Sequence, residues 1–249
     1  NSAQVVIGVG DASILGHGIV FTGGAVEGVT VTTTDGSLRL NGPVELSSDA
    51  VMRTGTGPGN IVFTDNSTIN STRNKHSSLE LDAGSGRVVF GANVGEHDAL
   101  GALLVRAADA GVTFGGAAVQ GNLAGPVTVV RADQSIDFGD AENAIGAGII
   151  FNGGDQGLHL ETQDSDIRVH GPVLLQSDVS IETGDGRGTV TFTSSASIDS
   201  HDGTGTATSD ARNSLRIDAG AGGIVFNAEI GGVQRIDDLI VTRAAAGVT

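Results

Sequence analysis

The sequence predicts an all-β chain wound into a β-solenoid of about ten coils with a phenylalanine-lined core, and three observations carry that expectation. All eight Phe stand two residues after an Ile or Val: Phe21, Phe63, Phe90, Phe114, Phe138, Phe151, Phe192 and Phe226. No Trp or Tyr occurs elsewhere to share their role. Residues two apart in a strand lie on one face, so aliphatic and ring point inward together. A general preference of Phe for strands accounts for one or two such sites, not for all of them. Second, Gly makes up 40 of 249 residues and Pro only 4. Corners therefore rest on Gly, Asn and Asp between short runs of Val, Ile, Thr and Leu. The third observation is an internal repeat.

Gly18-Ile-Val-Phe-Thr-Gly-Gly24 returns as Gly148-Ile-Ile-Phe-Asn-Gly-Gly154. Gly42-Pro43-Val44 returns as Gly171-Pro172-Val173, and Phe63 and Ile69 return as Phe192 and Ile198. Ser78-Leu-Glu-Leu-Asp-Ala-Gly84 becomes Ser214-Leu-Arg-Ile-Asp-Ala-Gly220, and Gly111-Val-Thr113 becomes Gly247-Val-Thr249. Residues 1–249 thus read as a single continuous solenoid built from two copies of a repeat of about 130 residues. The copies span about 18–147 and 148–249, the second incomplete. A chain that starts and stops inside a unit is expected to be a window on a longer tandem array.

Within a copy, Phe63, Phe90, Phe114 and Phe138 follow one another at one coil per about 20–29 residues. The wider gaps, Phe21 to Phe63 and Phe151 to Phe192, are expected to hide a coil whose inward residues are Leu38 and Leu40, or Ile167 and Val169. The rings are expected to pile into one internal column. That picture has no place for the short step from Phe138 to Phe151, which is less than one coil. Val29-Thr-Val-Thr, Leu79-Glu-Leu, Leu158-His-Leu and Leu215-Arg-Ile alternate apolar with polar, as half-exposed strands do. Residues 99–110 fit a helix or a strand through Leu103-Leu-Val105. Asp65–Ser77 and Asp199–Asn213 are polar and occupy equivalent places in the two copies, so they read as exposed loops leaving one edge of the coil.

The formal charge is −16, with a single Lys, Lys75, among the 13 basic residues. That sign argues against nucleic acid as a partner, and no apolar run approaches the ~20 residues of a membrane span. Without Cys there are no disulfides and no thiolate metal sites. None of His17, His76, His97, His159, His170 and His201 shows zinc-site spacing; adjacent strands could bring His159 near His170, but the expected role of these residues is solvated surface. Acidic clusters at Asp164-Ser-Asp166, Asp185, Asp199-Ser-His-Asp202 and Asp237-Asp238 make calcium the one candidate cofactor. No EF-hand loop or Gly-Gly-x-Gly-x-Asp motif supports it, and Asp-Gly corners account for the same residues. No Gly-x-Ser-x-Gly elbow is present. Sugar-cleaving carboxylate sites normally come with aromatic platforms, which a chain without Trp or Tyr does not offer. No catalytic, cofactor-binding or metal residue is assigned. Asn66-Ser-Thr and Asn70-Ser-Thr match the glycosylation sequon.

The order of motifs is also familiar. Ser-Leu-x-[Leu/Ile]-Asp-Ala-Gly leads to an aliphatic-x-Phe strand, then Val-Gly or Ile-Gly, then a Leu-x-Val strand running into Ala-Ala and Gly-Val-Thr. This order, through residues 78–119 and again 214–249, resembles the repeats of very large bacterial surface exoproteins, the filamentous-haemagglutinin-like and autotransporter-passenger adhesins. The resemblance implies a right-handed parallel β-helix at the bacterial cell surface, extracellular, serving in adhesion or as a filament with no catalytic site. Its expected partners are other copies of itself, end to end or in tandem, and a host or cell-surface receptor or glycan. The rival readings are a binding module acting through residues 65–77 and 199–213, and a polysaccharide-cleaving enzyme.

Overall fold

The computed structural model describes residues 5–7, 18–23, 28–115, 126–201 and 212–249. Among them the chain is almost wholly β, with one three-residue 3-10 turn at Gly154–Gln156, and every strand pairing is parallel. The fold is consistent with a parallel β-helix.

Three ladders of paired strands organise it. The first runs Val5–Ile7, Leu38–Leu40, Ile61–Phe63, Val88–Phe90, Val112–Phe114, Ile149–Phe151, Val173–Leu175 and Ile198–Ser200, and a single bridge carries it on to Ile230. The second begins with Ile19–Phe21, Val44–Leu46 and Ile69–Ser71 and passes by bridges through Val94 to Val130. It continues with Leu158–Thr162, Val179–Glu182, Leu215–Asp218 and Leu239–Arg243. The third runs Val29–Thr32, Ala50–Arg53, Leu79–Asp82, Leu100–Ala107 and the far half of Val129–Phe138. Ile167–Val169, Val190–Phe192, Ile224–Phe226 and a bridge to Val248 complete it. The chain visits first, second and third ladder in turn, again and again.

Alternation makes these strands. In Leu38–Leu40 the two Leu are buried while Arg39 faces outward, and Ile167 and Val169 likewise flank an exposed Arg168, so both hidden inward slots are filled as the spacing predicts. Residues 100–107 are strand, not helix. The inward residues form one continuous core from Ile19 to Ile224. Inward Thr at the corners donate to nearby carbonyls, Thr54 to Gly59 at 2.8 Å and Thr183 to Gly188 at 3.0 Å, which removes the cost of burying their hydroxyls. Gly84 and Gly220 turn equivalent corners at φ 51° and 53°, where a Cβ would lie 2.2 Å from the carbonyl oxygen of Gly55 or Gly184. Only glycine fits such a corner.

Two expectations need correction. Seven Phe are buried and Phe226 is partly so, but they do not share one column. Phe63, Phe90 and Phe114 stack on the first ladder at 5.6 and 4.6 Å, whereas Phe192 and Phe226 stack on the third at 5.4 Å. Phe138 on the third ladder meets Phe114 and Phe151 on the first edge-on at 5.5 and 6.0 Å, which is how the short step is accommodated. The cause is arithmetic. From Ile19 to its repeat equivalent Ile149 the chain makes fourteen steps between ladders, one short of five complete rounds. Each feature of the first copy therefore reappears on the ladder before its own.

The polar segments are the second correction. Residues 65–77 contain a strand, Ile69–Ser71, with Ile69 and Ser71 both buried. A single aliphatic with a Ser in the other inward slot hides the alternation, and the Ser71 hydroxyl accepts the Ser77 N–H at 2.8 Å. What remains exposed is the connection from Ser71 to Leu79, between second and third ladders. Its counterpart connects Ser200 on the first ladder to Leu215 on the second, so the two leave from different edges. Residues 202–211 of that counterpart lie outside the described residues.

Candidate functional site

Several acidic residues work at corners, Asp164 and Asp199 of the acidic clusters among them. Asp35 accepts the N–H of Gly57 at 2.7 Å, and its repeat equivalent Asp164 accepts that of Gly186 at 2.5 Å. Asp49 and Asp178 accept the N–H of Ser78 and Ser214, both at 2.8 Å. Asp199 accepts from Val233 and Gln234 at 2.8 and 2.9 Å, as Asn70 accepts from His97 at 3.0 Å in the first copy. Each carboxylate reaches to the next tier and satisfies a donor that the corner would otherwise leave unpaired. Among the described residues no group of three His, Asp or Glu converges to hold a metal ion. Asp202 lies outside them. In the sequons, the Asn70 oxygen accepts from the backbone, while the Asn66 amide donates to Asp65 at 3.0 Å.

The outer face carries ion pairs between tiers. Glu80 takes Arg53 and Arg106, both at 3.1 Å, and Arg106 extends to Asp140 at 3.5 Å. Arg168 joins Asp137 at 3.2 Å and Asp166, Arg131 joins Glu161 at 3.5 Å, and Arg243 joins Asp218 at 2.8 Å and Asp185 at 2.5 Å. Partial burial pushes the Glu80 carboxyl up, but its two guanidinium partners outweigh that and hold it below its ordinary value. Asp218 is held low in the same way by Arg243 and the Gly220 N–H. Asp140 is held low chiefly by the N–H groups of Asn143 and Glu142. Half-exposed pairs of this kind contribute about 0.2–1 kcal/mol each. Their effect is to hold neighbouring tiers in register.

The histidines do not assemble. His159 sits on the outside of the second ladder, 3.6 Å from Glu161, while His170 follows the third-ladder strand Ile167–Val169. The two stand on different ladders because the chain turns a corner, not a hairpin, between them. Burial lowers the His170 pKa against the pull of Asp137 and Asp140. His76 pairs with Asp133, and His17 lies outside the described residues.

Shallow grooves mark the surface of the described residues, and two of them are the following. One, of about 540 Å³, is floored by the outward row of the second ladder, including Val129, His159, Ser180, Arg216 and Ile240. The other, of about 450 Å³, lies among Arg53, Asp82, Arg106 and Asp109. Their polar groups already serve the scaffold: Arg53 and Arg106 on Glu80, Asp82 on the Gly84 N–H at 3.1 Å, and Asp178 on Ser214. In the first, Ser180 stands opposite His159 on the neighbouring strand. On the last described tier Leu239, Val241 and Val248 are 42, 37 and 50% exposed, while their repeat equivalents Leu103, Val105 and Val112 are fully buried.

Comparison with protein-family models, with curated proteins and with solved structures found no match for this chain.

Proposed function

We propose that the chain is a right-handed parallel β-helix of nine described tiers, acting as a non-catalytic structural segment of an extracellular bacterial rod or fibre. Its service would be adhesion or the building of a surface filament. The observation that carries this reading is the pairing scheme, in which each strand bonds only to the strand of the tier before or after. Such a core grows by adding tiers, so length becomes the property that can be selected. Parallel crossovers returning to one sheet are right-handed in nearly all cases, which supports that hand here. Outward charges and corner acids bind tier to tier, leaving the surface to serve the rod. At one strand spacing per tier, the described rod is about 43 Å long.

A further copy of residues 18–147 inserted after Ala147 tests the reading, because Gly148 follows Ala147 as the first residue of the repeated motif Gly18–Gly24. The insert should fold and lengthen the particle by about 22 Å in small-angle scattering, the spacing of fourteen ladder steps. A compact particle, or oligosaccharides released from acidic polysaccharides by the protein, would overturn it. One observation favours the binding-module reading: Asn74 and His76, in the connection after Ser71, hold left-handed φ of 61° and 51°. Non-glycine residues in that region tend to mark recognition loops. Replacing residues 73–76 by glycines would abolish receptor or glycan capture on that reading, and leave a scaffold unaffected.

A further inference from the structure

The connection from Ser71 to Leu79 is the basic spot of an acidic chain. Arg73, Asn74, Lys75 and His76 are all exposed, and Lys75 is the only Lys in a sequence of formal charge −16. Among the described residues neither Arg73 nor Lys75 has an ion-pair partner. The segment is nevertheless fixed. Lys75 donates its N–H to the Thr72 carbonyl at 2.9 Å, the Ser71 hydroxyl accepts the Ser77 N–H, and His76 pairs with Asp133 two tiers on. Gly101 lies beneath, where a Cβ would meet the His76 carbonyl oxygen at 2.1 Å. Two cations on a strap held in this way lose little freedom when a partner binds them. The opposite charge stands at the same corner, farther along. In the last outward slot of successive second-ladder strands, Glu161 pairs in register with Glu182, and Glu182 with Asp218. Like charges directly opposite one another on neighbouring strands are unfavourable. Arg131 relieves Glu161 and Arg243 relieves Asp218, but among the described residues no cation pairs with Glu182, which is exposed.

We propose that the strap 72–78 docks on the acidic row of a second copy of this chain, with the two molecules side by side and antiparallel. Glu182 lies four ladder steps beyond Ile69–Ser71, about 19 Å at one strand spacing per step. A two-fold axis at the level of Val130, two steps from each, makes both contacts at once, so that Arg73 and Lys75 of each copy reach Glu182 of the other. Arg131, near the axis, keeps Glu161 as its partner. The repeat accounts for neither feature: Thr32, Arg53 and Asp82 stand where the acidic row stands, and Ser209 and Ala211 where Arg73 and Lys75 stand. One strap and one row therefore define one register. The inference rests on the scaffold reading and adds a lateral partner to it. Both chains are acidic overall, yet at physiological ionic strength charges more than about 8 Å apart are largely screened, and the local match decides the pairing.

Because Lys75 is the only Lys, its amine is a direct probe of the contact. A carbodiimide activates a carboxyl, the Lys75 amine displaces it, and an amide forms while the reagent leaves as its urea. A mixture of isotope-labelled and unlabelled protein should give a crosslinked dimer whose joined peptides hold Lys75 of one chain and Glu182 of the other. Arg73→Glu with Lys75→Glu in one variant, and Glu182→Lys in another, should each weaken dimerisation at least tenfold in sedimentation, with an unchanged β spectrum. Mixing the two variants should restore it, since each then offers the charge that the other lacks. Lys75 crosslinks to acids outside the row, or a mixture that stays monomeric, would overturn the proposal, and so would a wild-type chain that is monomeric at every concentration. A monomeric wild type that captures heparin, and loses that capture with Arg73→Glu and Lys75→Glu, assigns the strap to the binding-module reading and overturns the docking as well. If a monomer is still elongated in scattering, the scaffold reading stands and only the docking fails; a compact monomer ends both.

Discussion

Residues 61–113 and their equivalents, 190–249, are made of matching sequence, and their described strands occupy different places in the molecule. Phe63 and Phe90 line the first ladder, Phe192 and Phe226 the third. Val105 and Val112 are sealed in the first copy, while Val241 and Val248 are open in the second. Sequence equivalence thus determines what a strand can pair with, but the number of strands counted round the axis determines where it sits. A repeat of fourteen steps on three ladders cannot return to the same face. Any feature repeated along such ladders is displayed around the axis instead of along one side.

The largest break in the comparison is expected in the ring stacks. Phe90 is fully buried between Phe63 and Phe114, whereas Phe226 is stacked on Phe192 and only partly buried. Phe90→Ala removes a buried ring from a filled core and should cost about 3–5 kcal/mol. Phe226→Ala gives up less buried area and should cost about 1–2 kcal/mol. Urea unfolding of the two variants measures both. Equal losses would mean that the second stack is as enclosed as the first, contrary to the structure.

Most of the tiers were legible because each strand announces itself twice, by alternation and by Gly or Asp at the corner. Leu38–Leu40 and Ile167–Val169 were found in this way without a ring. Ile69–Ser71 was not, because its inward Ser is read as loop until its bond to the Ser77 N–H is seen. The ring column was misplaced for a different reason. Phe spacing records residues per tier, but says nothing of how many ladders a repeat crosses, since loops between ladders vary in length. The acids at corners were ambiguous in kind: an Asp that caps a turn and an Asp that binds calcium share the same local sequence. In this structure Asp164 and Asp199 do the first, accepting the N–H groups of Gly186 and Val233.

The second test concerns Asn70, whose oxygen accepts the His97 N–H, against Asp199, which does the same service for Val233 and Gln234. Asn70→Ala gives up an exposed corner hydrogen bond, which water can partly replace, and should cost about 0.5–1.5 kcal/mol. Asn70→Asp, which imports the second copy's residue, should restore most of that. Denaturant midpoints of the two variants decide it. Failure of Asp to substitute would show that the two corners are held differently despite their shared geometry.

The smallest effect separates the copies by charge. Arg53 and Glu80 attract across a tier boundary in the first copy, and the equivalent positions hold Glu182 and Arg216, the same signs in reverse order. The exchange keeps opposite charges at equivalent positions of neighbouring tiers. Glu80 is held below its ordinary pKa of 4.5 by Arg106 and Arg53 despite partial burial. A carboxyl whose folded pKa is depressed stabilises the fold above the unfolded value, and that contribution is lost as pH falls through the folded one. Wild type should therefore lose stability below about pH 4.5 more steeply than Glu80→Gln, by less than about 1 kcal/mol for pairs this exposed. His170 acts in the same direction at higher pH. Its lowered pKa keeps the folded form neutral, so stability declines as pH drops below the ordinary histidine value of 6.5. His170→Asn, which copies the equivalent Asn41, should remove the upper of these two declines and leave the lower, and melting curves between pH 3 and 8 resolve them.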